Sequence, residues 1–171
     1  MPKIIENLRD ALLDEARRQI AERGYKATTI RSIASECGIA VGTVYNYFSS
    51  KDMIIASFML EDWFSLIEGV KKESADNPRS YLYSIYSNLR AFSERHSALF
   101  YDKDAAKSYG AALGERHKLL CSQMAELILP LCVNIESREL ASLFIAESLL
   151  SLTMAGHDFE PIYEIIIKII K

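Results

Sequence analysis

Apolar residues recur along this chain at three- and four-residue spacing, and strict alternation with polar residues is rare, so helices are expected throughout. Ile5, Leu8, Leu12, Ala16 and Ile20 form one stripe. They predict a first helix over residues 4–23 that stops at Gly24, a natural residue to follow a helix end. Tyr25-Lys26-Ala27 reads as a short connection. Thr28 and Thr29 offer capping hydroxyls for a second helix through residue 36, with Ile30, Ile33 and Ala34 inward. Cys37-Gly38-Ile39 is a tight turn in which Gly38 is free to take positive φ, and a third helix is expected over residues 40–48. Two short helices around a glycine-containing turn make a helix-turn-helix.

Downstream, Ser49 with Asp52 resembles a capping box and opens a long helix ending near residue 71 or 73. Asp76-Asn77-Pro78 breaks it. A fifth helix is expected over residues 79–94, with Leu82, Ile85, Leu89 and Phe92 on one face. Residues 97–110 carry a weaker pattern that fits a short helix over 99–107. Further helices are expected over 111–131, over 137–155 with Ser137 as cap, and over 160–170 after a turn at Gly156-His157-Asp158. The fold class is therefore all-α: an N-terminal three-helix helix-turn-helix domain, 1–50, joined to a C-terminal helical bundle, 51–171.

Composition agrees: half of the 171 residues are hydrophobic, a quarter are charged, and Pro and Gly number only four and seven. The three cysteines, Cys37, Cys121 and Cys132, are odd in number and lack C-x-x-C spacing. A disulfide framework or zinc site is not expected, and a reducing cytoplasm fits. His117 and Cys121 stand four apart on a helix and could grip a soft metal, although two ligands without a third are a weak signal and no metal is expected. Cys37 reads as a buried small hydrophobe or as a redox switch. Met1-Pro2-Lys3 leads into a charged amphipathic stretch rather than a signal peptide. The Ile165-Ile166-Ile167 run falls far short of the roughly 20 residues of a membrane span, so a soluble cytoplasmic protein is expected. His96, His117 and His157 are scattered. No nucleophile motif, paired carboxylates or phosphate loop appears, so neither an enzyme nor a cofactor is expected.

Net charge is −3, but it is unevenly spread. Residues 24–51 hold Lys26, Arg31 and Lys51 against Glu36 alone, whereas residues 53–171 hold 12 basic and 16 acidic side chains. The mildly basic segment is the expected DNA contact, with the acidic remainder held away from phosphates. On the third helix Val41, Gly42, Thr43, Asn46 and Tyr47 supply a small or polar face for a major groove about 12 Å wide. Val44 and Phe48 anchor the opposite face. Gly42 costs about 1 kcal/mol of helix propensity relative to Ala. Close backbone approach to DNA explains it, as does simple tolerance near a helix end. Lys51 in the first turn of the fourth helix opposes the helix dipole, so a phosphate partner explains it better than plain solvation. Thr29 and Arg31 add candidate phosphate contacts.

These residues carry a family likeness. Ala21-Glu22-Arg23-Gly24-Tyr25-Lys26-Ala27-Thr28-Thr29-Ile30-Arg31-Ser32-Ile33-Ala34 and Gly38-Ile39-Ala40-Val41-Gly42-Thr43-Val44-Tyr45-Asn46-Tyr47-Phe48-Ser49-Ser50-Lys51 resemble the opening of the tetracycline-repressor (TetR) family. The remainder resembles the family in kind, as a helical body ending in two apolar helices. The resemblance implies that Thr43 and Tyr45 touch phosphate or base and that Tyr47 touches phosphate. Tyr45 has a rival reading as a core residue with its hydroxyl at the rim. Ala40 departs from the family's usual polar residue and can neither cap the third helix nor bond a phosphate.

The last two helices are apolar on more than one side and need two partners. One side fits the chain's own core. The other fits a second copy, which resembles the family's four-helix dimer interface, with Leu143, Ile145, Leu149, Leu152, Ile162, Ile166 and Ile169 expected there. Two heads would then read half-sites of a palindromic double-stranded operator about 34–36 Å, or a multiple, apart. The resemblance also implies a small-molecule effector pocket, for which Trp63, Phe64, Tyr83, Tyr86, Phe92, Phe100, Tyr101 and Met124 are candidates or else ordinary core. The function expected is that of a transcriptional repressor released by a ligand through population shift. The alternative is a helical interaction protein with a vestigial helix-turn-helix.

Overall fold

The computed structural model describes residues 7–171, the side chains of 106–116 excepted. Its elements are α1 (Leu8–Ala27), α2 (Ile30–Glu36), α3 (Val41–Tyr45), α4 (Lys51–Val70), α5 (Pro78–Arg95), α6 (Ser97–Phe100), α7 (Lys103–Ile128), a 3₁₀ turn (Leu129–Leu131), α8 (Arg138–Met154) and α9 (Phe159–Ile170), and no strand occurs among the described residues. The expected start of the first helix, with Ile5, lies outside the described residues. The chain divides into two compact units: Met1–Asp62 with Arg95–Tyr109, and Trp63–Glu94 with Gly110–Lys171.

The first unit is built around Leu12, Ala16 and Ile20 of α1, which meet Ile33 and Ala34 of α2, Val44 of α3 and Phe48 in one buried cluster. Ile54, Ile55 and Phe58 of α4 and Leu99 of α6 belong to the same cluster, which is why this unit runs past residue 50. Polar ties add to it. The Asp62 carboxylate lies 3.2 Å from Arg17, 3.0 Å from the buried His96 and 3.6 Å from Arg95. Burial lowers the His96 pKa, against the pull of Asp62. The path of α1 changes at Gly24, whose φ of 78° and ψ of 174° lie outside the helical region and in one essentially reserved for glycine. The chain does not leave the helix there, as its sequence suggests, but makes another helical turn through Ala27. Buried Thr28 closes that turn by donating its hydroxyl to the Gly24 carbonyl at 2.9 Å. Two further boundaries move for local reasons. Ser50, not Ser49, caps α4, accepting from the Met53 N–H at 3.1 Å. Asp102 accepts from the N–H groups of Asp104 and Ala105, so α7 starts at Lys103 instead of residue 111.

In the second unit, Asn77 accepts from the N–H groups of Arg79 and Ser80 at the start of α5, and Pro78 occupies the first helical position. The Trp63 indole donates to Gln123 at 2.8 Å, and its ring meets Phe92 edge-on. The Tyr81 hydroxyl donates to the Leu127 carbonyl, and that of Tyr86 to the His157 carbonyl, each at 3.0 Å. Phe159, at the start of α9, packs among the rings of Tyr83, Tyr86 and Tyr163. These contacts join α4 to α7, and α5 to α7 and α9, within the unit. No helix among the described residues is long and apolar enough to cross a membrane.

Candidate nucleic-acid interface

The start of α2 is set by a capping box that the sequence only half reveals. Thr29 accepts from the Ser32 N–H at 3.0 Å, while the Thr29 N–H donates to the Ser32 hydroxyl at 3.0 Å. The Ser32 hydroxyl also reaches Gln19, which is fully buried on α1 and donates to Glu15 at 2.7 Å. The angle at which α2 leaves α1 is thus pinned by side chains, not only by apolar packing. Gln19 offers no signal of this in sequence beyond a polar residue beside the apolar stripe.

The turn then forms as its residues dictate. Gly38 takes φ 68°, and the Ile39 N–H returns to the Ala34 carbonyl at 3.0 Å. Ala40 stands at the N-cap of α3 with no side-chain cap, so this short helix is held by packing. Val44 and Phe48, four apart, are buried in the cluster of the first unit. Their anchoring turns the other side outward: Gly42, Tyr45, Asn46 and Tyr47 are exposed, and Val41 and Thr43 are half-buried. Tyr45 is 54% exposed, which removes the core reading of that residue. Side chains of Arg31, Thr43, Tyr45, Asn46 and Tyr47 make no hydrogen bond or ion pair among the described residues, so their polar ends are available to a partner. Gly42 has no positive φ, and a Cβ there would meet nothing within 4 Å. Nothing inside the chain requires glycine at that position.

Thr28, Thr29, Ile30, Arg31, Val41, Tyr45 and Lys51 line one shallow concavity between the start of α2, α3 and the start of α4. Lys51 is a partial correction. Its ammonium does not project freely toward a phosphate: it donates to the Tyr25 carbonyl at 2.7 Å and lies 3.6 Å from the centre of the Tyr25 ring. The Tyr25 hydroxyl in turn donates to Asp52 at 2.7 Å. Burial lowers the Lys51 pKa, while Asp52 and Asp102 pull it upward. The physical reason is the extra turn of α1 after Gly24, which leaves a carbonyl in need of a donor beside the start of α4. Lys51→Ala is therefore expected to destabilise the first unit by about 1.5 kcal/mol, the worth of a hydrogen bond to a charged group with its ring contact. Urea unfolding measures this. Unchanged stability with lost DNA affinity would return Lys51 to the role of phosphate ligand.

The remaining candidates need firmer correction. Ile145 and Leu149 on α8 are fully buried, and Ile162 and Ile166 on α9 nearly so, within the single chain. They are core, and cannot face a second copy. The exposed apolar surface of these helices is Leu140, Leu143 and Phe144 on one stripe of α8, with Ile165 on α9. Leu152 and Ile169 are half-buried at its edges. The eight proposed effector residues differ in burial and in the unit that holds them. Phe64, Tyr83 and Tyr101 are exposed; Trp63, Tyr86, Phe92 and Met124 are buried core of the second unit; Phe100 belongs to the first unit, with its ring edge-on to His96.

Comparison with known proteins agrees with this geometry. Residues 12–58 match the model of the bacterial regulatory proteins of the tetR family, a span that covers α2, the turn and α3. The HTH-type transcriptional repressor KstR2 of Mycolicibacterium smegmatis is 33% identical over 103 residues, covering 58% of this chain and 50% of that protein. The chain spans about half the length of the curated relatives it matches first. Among solved structures, a transcriptional regulator from Aquifex aeolicus VF5 superposes with a TM-score of 0.65 at 14% identity, covering 94% of this chain and 95% of that one. The fatty acid degradation regulator FadR of Bacillus halodurans gives 0.62 at 18% identity, covering 98% and 95%. At such identities the structural likeness speaks to the fold, an all-α chain with an N-terminal helix-turn-helix and a helical C-terminal part. Head sequence, turn geometry and fold converge: over residues 12–58 the chain is similar to the bacterial regulatory proteins of the tetR family, and as a whole it shares the fold of solved regulators.

Proposed function

We propose that this protein is a DNA-binding transcriptional repressor that acts as a homodimer on a palindromic operator and is released by a small-molecule ligand. The observation that carries the reading is the outer side of α3. Tyr45, Asn46 and Tyr47 stand exposed with unpartnered polar ends, beside a Gly42 that leaves room for close approach. Such a face, anchored from behind by Val44 and Phe48, fits a recognition helix in the major groove. Arg31 is exposed beside it and suits a backbone phosphate.

The dimer reading is supported by the exposed stripe of Leu140, Leu143 and Phe144 on α8 and by Ile165 on α9. Large side chains left in water at three- and four-residue spacing fit burial against a second copy. Release by a ligand is supported by the likeness of residues 12–58 to the tetR family.

Selection of bound duplexes from a random pool, followed by mobility-shift titration at several salt concentrations, tests the proposal. An enriched palindrome and a steep fall of log affinity with log salt are expected, because phosphate contacts release counterions. No enrichment, with binding to all duplexes alike, would leave the helix-turn-helix without a reading role.

A further inference from the structure

We propose that His117, Cys121 and Glu147 form a binding site for a divalent transition metal of the zinc class in the second unit. His117 and Cys121 are one turn apart on α7, and Glu147 comes from α8, so the site joins two helices that lie 26 residues apart in sequence at their nearest ligands. The His117 Nε2 atom lies 3.1 Å from the Glu147 Oε1 atom and 3.5 Å from the Cys121 Sγ atom. All three ligand atoms fall within 4.8 Å of one another. A tetrahedral zinc ion with bonds of about 2.0–2.3 Å to nitrogen, oxygen and sulfur sets its ligand atoms about 3.3–3.8 Å apart. The existing separations therefore approach those of a coordinated set, and a small rotation of the Glu147 carboxylate completes the match.

The donor chemistry narrows the ion. One thiolate, one imidazole and one carboxylate suit a borderline cation such as Zn²⁺ or Co²⁺ better than Mg²⁺ or Ca²⁺, which prefer all-oxygen shells. Cys121 is buried whereas His117 is half-buried and Glu147 exposed, so the ion would enter from the solvent side and keep a fourth position for water or another ligand. Among the described residues no other three His, Cys, Asp or Glu side chains meet in this way. The other two cysteines are differently engaged, Cys37 near the Ala11 carbonyl and Cys132 near that of Ile128, each at 3.8 Å.

The test uses the full chain, reduced and stripped with a chelator, and Co²⁺ as the probe, without DNA. One equivalent per chain is expected to produce thiolate-to-cobalt charge-transfer absorption in the near ultraviolet together with the intense visible bands of a tetrahedral ion. Zn²⁺ should abolish both. Cys121→Ser, nearly isosteric, should remove the charge-transfer band, whereas Cys37→Ser should leave it. Glu147→Gln, at an exposed position, should weaken Co²⁺ binding by roughly tenfold or more, at least the loss seen when an outer-shell partner is removed. Circular dichroism confirms that each variant is folded. Absence of a thiolate band at stoichiometric Co²⁺, or a band that survives Cys121→Ser, would overturn the site.

Discussion

Phe144→Glu is expected to break the proposed dimer into monomers and to lower operator affinity by roughly a hundredfold, because linkage of two heads multiplies their affinity through effective concentration. Phe144 is 59% exposed on α8, so the substitution removes no buried contact of the single chain. Its melting temperature, measured on the monomer, should change little beyond the loss of dimer linkage. Ile145→Glu is the contrasting control. Ile145 is fully buried, and a carboxylate there carries a desolvation penalty large enough to threaten folding. Light scattering after size exclusion separates the two effects. A Phe144→Glu protein that remains dimeric would place the interface away from the Leu140–Phe144 stripe.

The second large effect concerns α3, the proposed recognition helix. Tyr45→Ala should cost roughly tenfold or more in operator affinity, the equivalent of about 1.5–3 kcal/mol for a hydrogen bond to a charged phosphate. An exposed substitution of this kind should leave stability within about 0.5 kcal/mol. Fluorescence anisotropy with a labelled duplex, paired with urea unfolding, reads both. If affinity and stability fell together, Tyr45 would be a structural residue after all. Lys51→Ala is expected to show the reverse pattern, a stability loss first, because its ammonium serves the Tyr25 carbonyl.

The head was legible in sequence because several local signals agree there. Thr29, Gly38, and the Val44–Phe48 pair each specify a cap, a turn or an inward face, and the structure has each in that role. What periodicity could not show was which apolar side of α8 and α9 meets the chain's own core. Both helices are apolar on more than one side, so in sequence Ile145 and Leu149 are as available to a second copy as Leu143. Only the packing of α8 against α9 and their neighbours separates core from surface. The same limit hid the Lys51–Tyr25 pair, which depends on a turn of α1 continuing past Gly24. Glu147 beside His117 lay beyond reach for a similar reason: the pair is 30 residues apart and meets only when α7 and α8 pack.

Footprinting of the selected operator shows whether two heads read one palindrome. Hydroxyl-radical cleavage in the presence of the protein should show two protected patches related by a two-fold axis, their centres about 34–36 Å or a multiple apart along the duplex. Light scattering of the same complex should find an even number of chains per operator. A single unsymmetrical patch with one chain bound, or no protection at concentrations that saturate binding, would contradict the account.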